Sequence, residues 1–155
     1  MTTVKNSKNQ EGIDPWHALN AAVMRNEWDK AFAVLTPDCE WTLMATGKKF
    51  RGPTEIRAFM QGALNASATR DAPDIKNDFA TADSGVFEYV SSGTVDAQNA
   101  SRFAAIAGMP ADAVVGKRFS FSVCFIWHIN ANGLIDRVNE YFSAPLLSAS
   151  ASKPS

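Results

Sequence analysis

A chain of 155 residues, 46% apolar and 20% charged, is long enough to bury about 70% of its unfolded surface as one globular unit. Its formal net charge of −1, with no basic cluster, excludes the electrostatic footprint of a nucleic-acid or anionic-membrane binder. No apolar run approaches the ~20 residues of a membrane span, and two cysteines with two histidines are too few for a disulfide framework or a histidine-rich metal centre.

Residues 1–12 are polar and lack the apolar core of a signal peptide; they are expected to form a mobile arm on a cytoplasmic protein. Residues 13–147 then read as a single domain. Asp14-Pro15 opens a helix, Asp as the cap and Pro in the first turn. It runs to about Arg25 with Trp16, Leu19, Ala22 and Val23 on one face. A short second helix is expected over 29–35, ended by Thr36-Pro37-Asp38, and a strand over 39–44. A polar turn, 46–51, leads through Gly52-Pro53 into a third helix over 54–64, which presents Ile56, Phe59, Met60 and Ala63.

The second half is strand-rich. Residues 75–81 and 85–95 read as strands, the latter with Phe87, Tyr89, Ser91 and Val95 on one face. The connection 96–116 is too long for a plain hairpin loop and carries Phe103, Ile106 and Met109, so a covering role with a helical turn over 100–107 is expected. From Phe119 to Ile129 the apolar residues alternate strictly: Phe119, Phe121, Val123, Phe125, Trp127 and Ile129. Asn130-Ala131-Asn132-Gly133 supplies a tight turn. The returning strand, 134–142, puts Asp136, Val138, Glu140 and Phe142 on one face. The tail 148–155 is Ser/Ala/Lys/Pro and expected to be disordered. Helices first and strands afterwards argue an α+β fold, with three helices from the N-terminal half on the concave face of a curved antiparallel sheet.

Four segments carry a family resemblance: LTPDCEW (35–41), GKKFRGPTEIRAFM (47–60), GMPADAVVGKRFSFSV (108–123) and NGLIDRVNEYF (132–142). In this order they resemble the nuclear transport factor 2-like superfamily, and within it the SnoaL-like, polyketide cyclase-like branch. The resemblance spans about residues 13–147. It implies a cone whose mouth holds an apolar pocket between the first helix, the third helix and the sheet. Ketosteroid isomerases of this superfamily place their base, acid and tyrosine where Leu43, Phe125 and Leu19 stand here. Limonene epoxide hydrolases place their tyrosine and asparagine at Trp41 and Leu43, and their Arg–Asp pair near Ser91 and Gly93. Neither set of groups carries over. One position does: the closing-strand acid of several branches falls near Glu140.

Glu140 either lines the pocket or sits at the rim, solvated or paired with Arg137 or Arg118. Lining the pocket, it would have a pKa raised by desolvation and suit proton transfer near neutral pH. Tyr89 either orients a substrate oxygen or simply packs. His17 is a proton shuttle or an exposed first-turn histidine. Trp41, Leu43, Phe59, Met60, Phe87, Phe121, Phe125, Trp127 and Val138 form both core and pocket wall. Cys39 and Cys124 read as small buried hydrophobes.

The expected function is therefore cofactor-independent acid/base catalysis by a cyclase, lyase, dehydratase or isomerase on a small hydrophobic, aromatic or polycyclic molecule, with no metal. The alternative is a non-catalytic ligand-binding or assembly module. Cys124, Ile126, His128 and Tyr141 leave the opposite sheet face too apolar for water, so a homodimer is expected there.

Overall fold

A computed structural model describes residues 5–6, 14–65 and 69–148 of the chain. Of the expected arm, Lys5–Asn6 forms a two-residue strand, β1; the rest of it, and residues 149–155 of the tail, lie outside the described residues.

α1 (Pro15–Met24) begins where the sequence places it. Asp14 Oδ1 accepts the His17 backbone N–H at 3.0 Å and Pro15 fills the first turn. Asn26 then turns the chain at φ 58°, a left-handed conformation that asparagine tolerates. α2 (Trp28–Phe32) is shorter than expected, because Leu35 already pairs with Ile135 as the first residue of β2 (Leu35–Leu43). The expected break at Thr36–Asp38 lies inside that strand. The register of β2 slips between Leu35 and Glu40, the kind of irregularity at which a strand tolerates Pro37. Residues 48–51, expected as turn, form β3 (Lys48–Arg51) against β2. α3 (Gly52–Asn65) starts at φ 75° on Gly52, where a Cβ would stand only 2.8 Å from the Pro37 carbonyl oxygen. Glycine alone lets the helix begin that close to β2.

β4 (Thr69–Arg70), β5 (Asp74–Ala80) and β6 (Ser84–Thr94) follow. The long connection contains α4 (Ala100–Ala107), over the residues expected to form a helical turn, and α5 (Ala111–Val114). β7 (Arg118–Ile129), β8 (Ile135–Phe142) and a short β9 (Leu146–Ser148) complete the chain.

The strands make one unclosed sheet in the order β1-β5-β6-β7-β8-β2-β3, with β4 on β6 and β9 on β7. All pairs are antiparallel except β2 with β8. That parallel pair brings Trp41 and Leu43 beside Val138 and Glu140 from a hundred residues away. The α+β class is as the sequence indicates, with helices of the N-terminal half over a curved sheet. Two bulges set the strand faces, and the first corrects the expected place of Asp136. One extra residue at Asp136 puts Ile135, Val138 and Glu140 inward and sends Asp136 outward to His128 Nδ1, at 2.7 Å. A second bulge, at Lys76, puts Ile75 and Asp78 on the inner face.

Two apolar clusters result. The larger joins α1, α2 and α3 to β2, β7 and β8 through Trp16, Leu19, Ile56, Trp41, Trp127 and Val138. The smaller packs Phe103, Ala104 and Val114 of α4 and α5 on Val95 and Phe119. No helix among the described residues is long and apolar enough to cross a membrane.

Candidate active site

Cross-strand register assembles the site. On the concave face one row runs Asp78–Phe87–Phe125–Glu140–Leu43 across β5, β6, β7, β8 and β2. The row on its inner side is Gly85–Trp127–Val138–Trp41–Phe50. The row on its outer side is Ile75–Tyr89–Val123–Phe142, whose end members Ile75 and Phe142 are exposed. The inner row is capped by Trp16 of α1, whose ring stacks on Trp127 at 4.8 Å and 7° and lies 4.9 Å from Phe125 and 6.0 Å from Trp41.

Glu140 is half-buried at the edge of this aromatic plug. Its Oε2 accepts the indole N–H of Trp41 at 2.8 Å. Burial pushes its pKa above the ordinary carboxylate value, and the Trp41 hydrogen bond pulls part of the way back. Of the two sequence readings, the inward-facing acid is the one the register produces. Tyr89 lies 5.6 Å from Phe87 and 6.3 Å from Phe125, ring to ring. Burial raises the pKa of its phenol; the charge of Arg70 opposes that shift and the charge of Glu140 adds to it. Tyr89 and Glu140 therefore share one electrostatic neighbourhood. Phe59 stacks on Phe50 at 4.3 Å and meets Trp41 edge-on, and Met60 packs on the same cluster. Phe121 lies apart, against the smaller cluster at Phe119.

His17 bridges two carboxylates. Its Nδ1 meets Asp14 Oδ2 at 2.8 Å and its Nε2 meets Asp78 Oδ2 at 3.1 Å, so both ring nitrogens are engaged. The imidazole ties α1 to β5, edge-on to Phe87 at 6.2 Å. Burial pulls its pKa down, but the hydrogen bond and charge of Asp14, then those of Asp78, leave it raised. A raised histidine pKa means that the clamp is fully formed below the unfolded value of about 6.5 and is lost as pH rises through the folded value. The thermal midpoint of the native protein should thus fall more between pH 6 and 8.5 than that of His17→Gln. With the ring about a third exposed, the difference should be about 1 kcal/mol or less. Equal slopes in a pH series of melts would show that the clamp carries no charge.

Burial pushes the Cys39 thiol up to about 12 and also raises Cys124, so neither is an activated nucleophile. Among the described residues no group of three or more His, Cys, Asp and Glu is arranged to hold a metal. Two cavities lie away from the apolar pocket expected from the sequence. One, of about 410 Å³, lies between Ser92, Arg118 and β9; the other, of about 300 Å³, lies between α2 and Arg57. Neither touches Glu140. The four rings Trp16, Trp41, Phe125 and Trp127 fill the floor of the cone instead. Leu43, Phe87, Phe125 and Glu140 of the middle row, with Tyr89 beside them, are half-buried on the concave face outward of these rings.

Sequence reasoning missed Trp16 as the plug and Asp78 as the partner of His17. Trp16 was legible as an inward helix residue but not as the cap of the site. Asp78 was hidden by the β5 bulge, which reverses the face its alternation suggests.

Residues 16–138 match the family of SnoaL-like domains. No curated protein matches the chain. Among solved structures, a candidate SnoaL-like polyketide cyclase from Shewanella denitrificans OS-217 is similar with a TM-score of 0.60 at 12% identity, over 83% of this chain and 88% of that one. An NTF2-like protein from Burkholderia thailandensis E264 gives 0.58 at 20% identity, over 86% and 93%. A candidate ketosteroid isomerase from Kribbella flavida DSM 17836 gives 0.51 at 13%, over 91% and 81%. At these identities the likeness shows the fold alone.

Proposed function

This chain belongs to the SnoaL-like domain family, and we propose that it is a cofactor-independent acid/base enzyme for a small hydrophobic, ring-containing molecule. The observation that carries the reading is the Glu140 carboxylate, held by the Trp41 indole on the concave face with its pKa raised by burial. A carboxylate of raised pKa is, once ionised, a stronger base than a free one. In the proposed step Glu140 takes a proton from a carbon next to a substrate carbonyl. The C–H electron pair moves into the enolate, and the Tyr89 hydroxyl donates a hydrogen bond to the enolate oxygen. In a β,γ-unsaturated ketone the dienolate takes the proton back from Glu140 at the γ-carbon, which moves the double bond. In a diketone the enolate carbon attacks the second carbonyl, closing a ring, and the Glu140 proton passes to the new alkoxide. Phe87 and Phe125 hold the ring face; His17 fixes α1 over the plug.

The test needs no natural substrate. Incubated with 2-tetralone in D₂O, the protein should speed deuterium uptake at the activated carbon, read by NMR. Uptake no faster than in buffer, across ketones of one to three rings, would overturn the proposal.

The filled cone floor favours one second reading, a non-catalytic module of the same fold that binds a ligand at its mouth. It predicts ligand binding without exchange.

A homodimer through the outer sheet face accompanies either reading. Ile126 and Tyr141 are 39% and 41% exposed there, with Val86 beside Ile126 and Cys124 beside Tyr141 in the register. Light scattering should give twice the chain mass at micromolar concentration, and Ile126→Lys should give the monomer. A native monomer would remove the dimer.

A further inference from the structure

Arg70 is the described residue at the mouth whose charge the acid/base chemistry leaves unused. It stands in β4 opposite Gly93 of β6, and Gly93 stands opposite Phe119. Tyr89, Ser91 and Gly93 alternate onto the concave face, so the register puts Arg70 on that face too. Its neighbour gives an independent check. Asp71 accepts from Ser92 Oγ and pairs with Arg118, and Ser92 and Arg118 both belong to the outer face. Residues one apart point to opposite faces, which turns Arg70 inward.

Arg25, Arg51, Arg57 and Arg118 each pair with a carboxylate. Among the described residues Arg70, like Arg102 and Arg137, makes no ion pair, and of these three it is the one whose charge acts on Tyr89. The nearest chain neighbour that could neutralise it, Asp71, is already taken. Gly93 across the ladder has no side chain to cover it, and Arg70 itself is exposed. Its field nonetheless reaches the Tyr89 hydroxyl, which feels Glu140 from the other side. A cation at the rim, a phenol between and a carboxylate within thus lie along one trough.

We propose that Arg70 anchors the acid group of the molecule bound in this trough, so that the site selects flat hydrophobic carboxylic acids over their neutral counterparts. Guanidinium binds a carboxylate through two parallel N–H donors and keeps its charge at every working pH. The row of Gly93 and the row of Glu140 are about 20 Å apart along the strands at ~3.3 Å per residue. Arg70, in line with β5, stands three strand spacings of about 4.8 Å from β8. A fused-ring acid anchored at Arg70 therefore lies over Tyr89 and Phe87 and points toward Glu140. The inference rests on the acid/base reading for which face the substrate occupies, but anion selection is measured without turnover.

The probes are 2-naphthoate and its neutral methyl ester, titrated calorimetrically at 0.15 M salt. The native protein should bind the acid more tightly than the ester, and more weakly as salt rises. Arg70→Gln should lose about ten- to a hundredfold of acid affinity with ester affinity unchanged, and Arg70→Lys should recover part of it. Glu140→Gln should keep the preference for the acid. No binding of naphthoate to the native protein, or an unchanged acid-to-ester ratio in Arg70→Gln, would overturn the anchor. Anion preference intact with no proton exchange in D₂O would leave the anchor standing and remove the acid/base reading.

Discussion

Glu140→Gln should fold normally and lose about 10²–10⁴ of any proton-exchange rate the native protein shows. Glutamine keeps the shape and still accepts the Trp41 indole N–H, so what disappears is the titrating carboxylate alone. The same substitution should change stability in the opposite direction. Because the folded pKa of Glu140 is raised, the native protein is favoured below the unfolded carboxylate value of about 4.3 and loses that advantage as pH rises through the folded value. Glu140→Gln lacks this loss, so its thermal midpoint should exceed the native one at pH 7 and the gain should vanish at pH 4. Activity of the native protein should rise with pH through the same midpoint, since the base must be ionised. Trp41→Phe removes the one hydrogen bond that favours the charged form, so it should move that midpoint upward. Full exchange activity in Glu140→Gln, with an unshifted midpoint in Trp41→Phe, would take Glu140 out of the chemistry.

That acid was legible because two signals coincide on it. Alternation from Val138 put it inward, and the NGLIDRVNEYF segment placed it on a closing strand. The unbroken alternation from Phe119 to Ile129 likewise gave the face of β7 correctly, with Val123 and Trp127 buried. Errors gathered where the period of two is interrupted. Pro37 reads locally as a helix stop, yet parallel pairing with β8 carries the strand through it. Asp136 shares parity with Val138 in the sequence, but the bulge turns it out to His128. The β5 bulge likewise turns Asp78 to the inner face. A bulge is one residue too many opposite a partner strand, so it is a property of two segments together and leaves no mark on either alone. His17 shows the same limit: both its carboxylates are visible as residues, but the contact with Asp78 spans 61 positions.

The largest stability effect should come from Gly85, a strand position that must lack a side chain. A Cβ on Gly85 would lie 2.0 Å from Trp127 Cζ2 and 2.4 Å from Cε2, far inside van der Waals contact. Gly85 sits opposite Trp127 in the ladder, and the indole fills the space a side chain there would take while stacking on Trp16. Trp127 is 1% exposed and cannot move without breaking the stack that fills the cone floor. Gly85→Ala should therefore cost about 3 kcal/mol, the upper end for overpacking, or roughly 6–12 °C in thermal midpoint for a chain of this size. A second substitution isolates the cause. Trp127→Phe removes the ring atoms that clash, and also an indole N–H that finds no acceptor in the described structure. In that background Gly85→Ala should cost far less, giving a coupling of about 1–3 kcal/mol between the two sites. Additive losses in the cycle would mean that Gly85 is needed for something other than room for the ring. Because the stack also braces Phe125 beside Glu140, Gly85→Ala should disturb proton exchange as well, and Trp127→Phe should restore part of it.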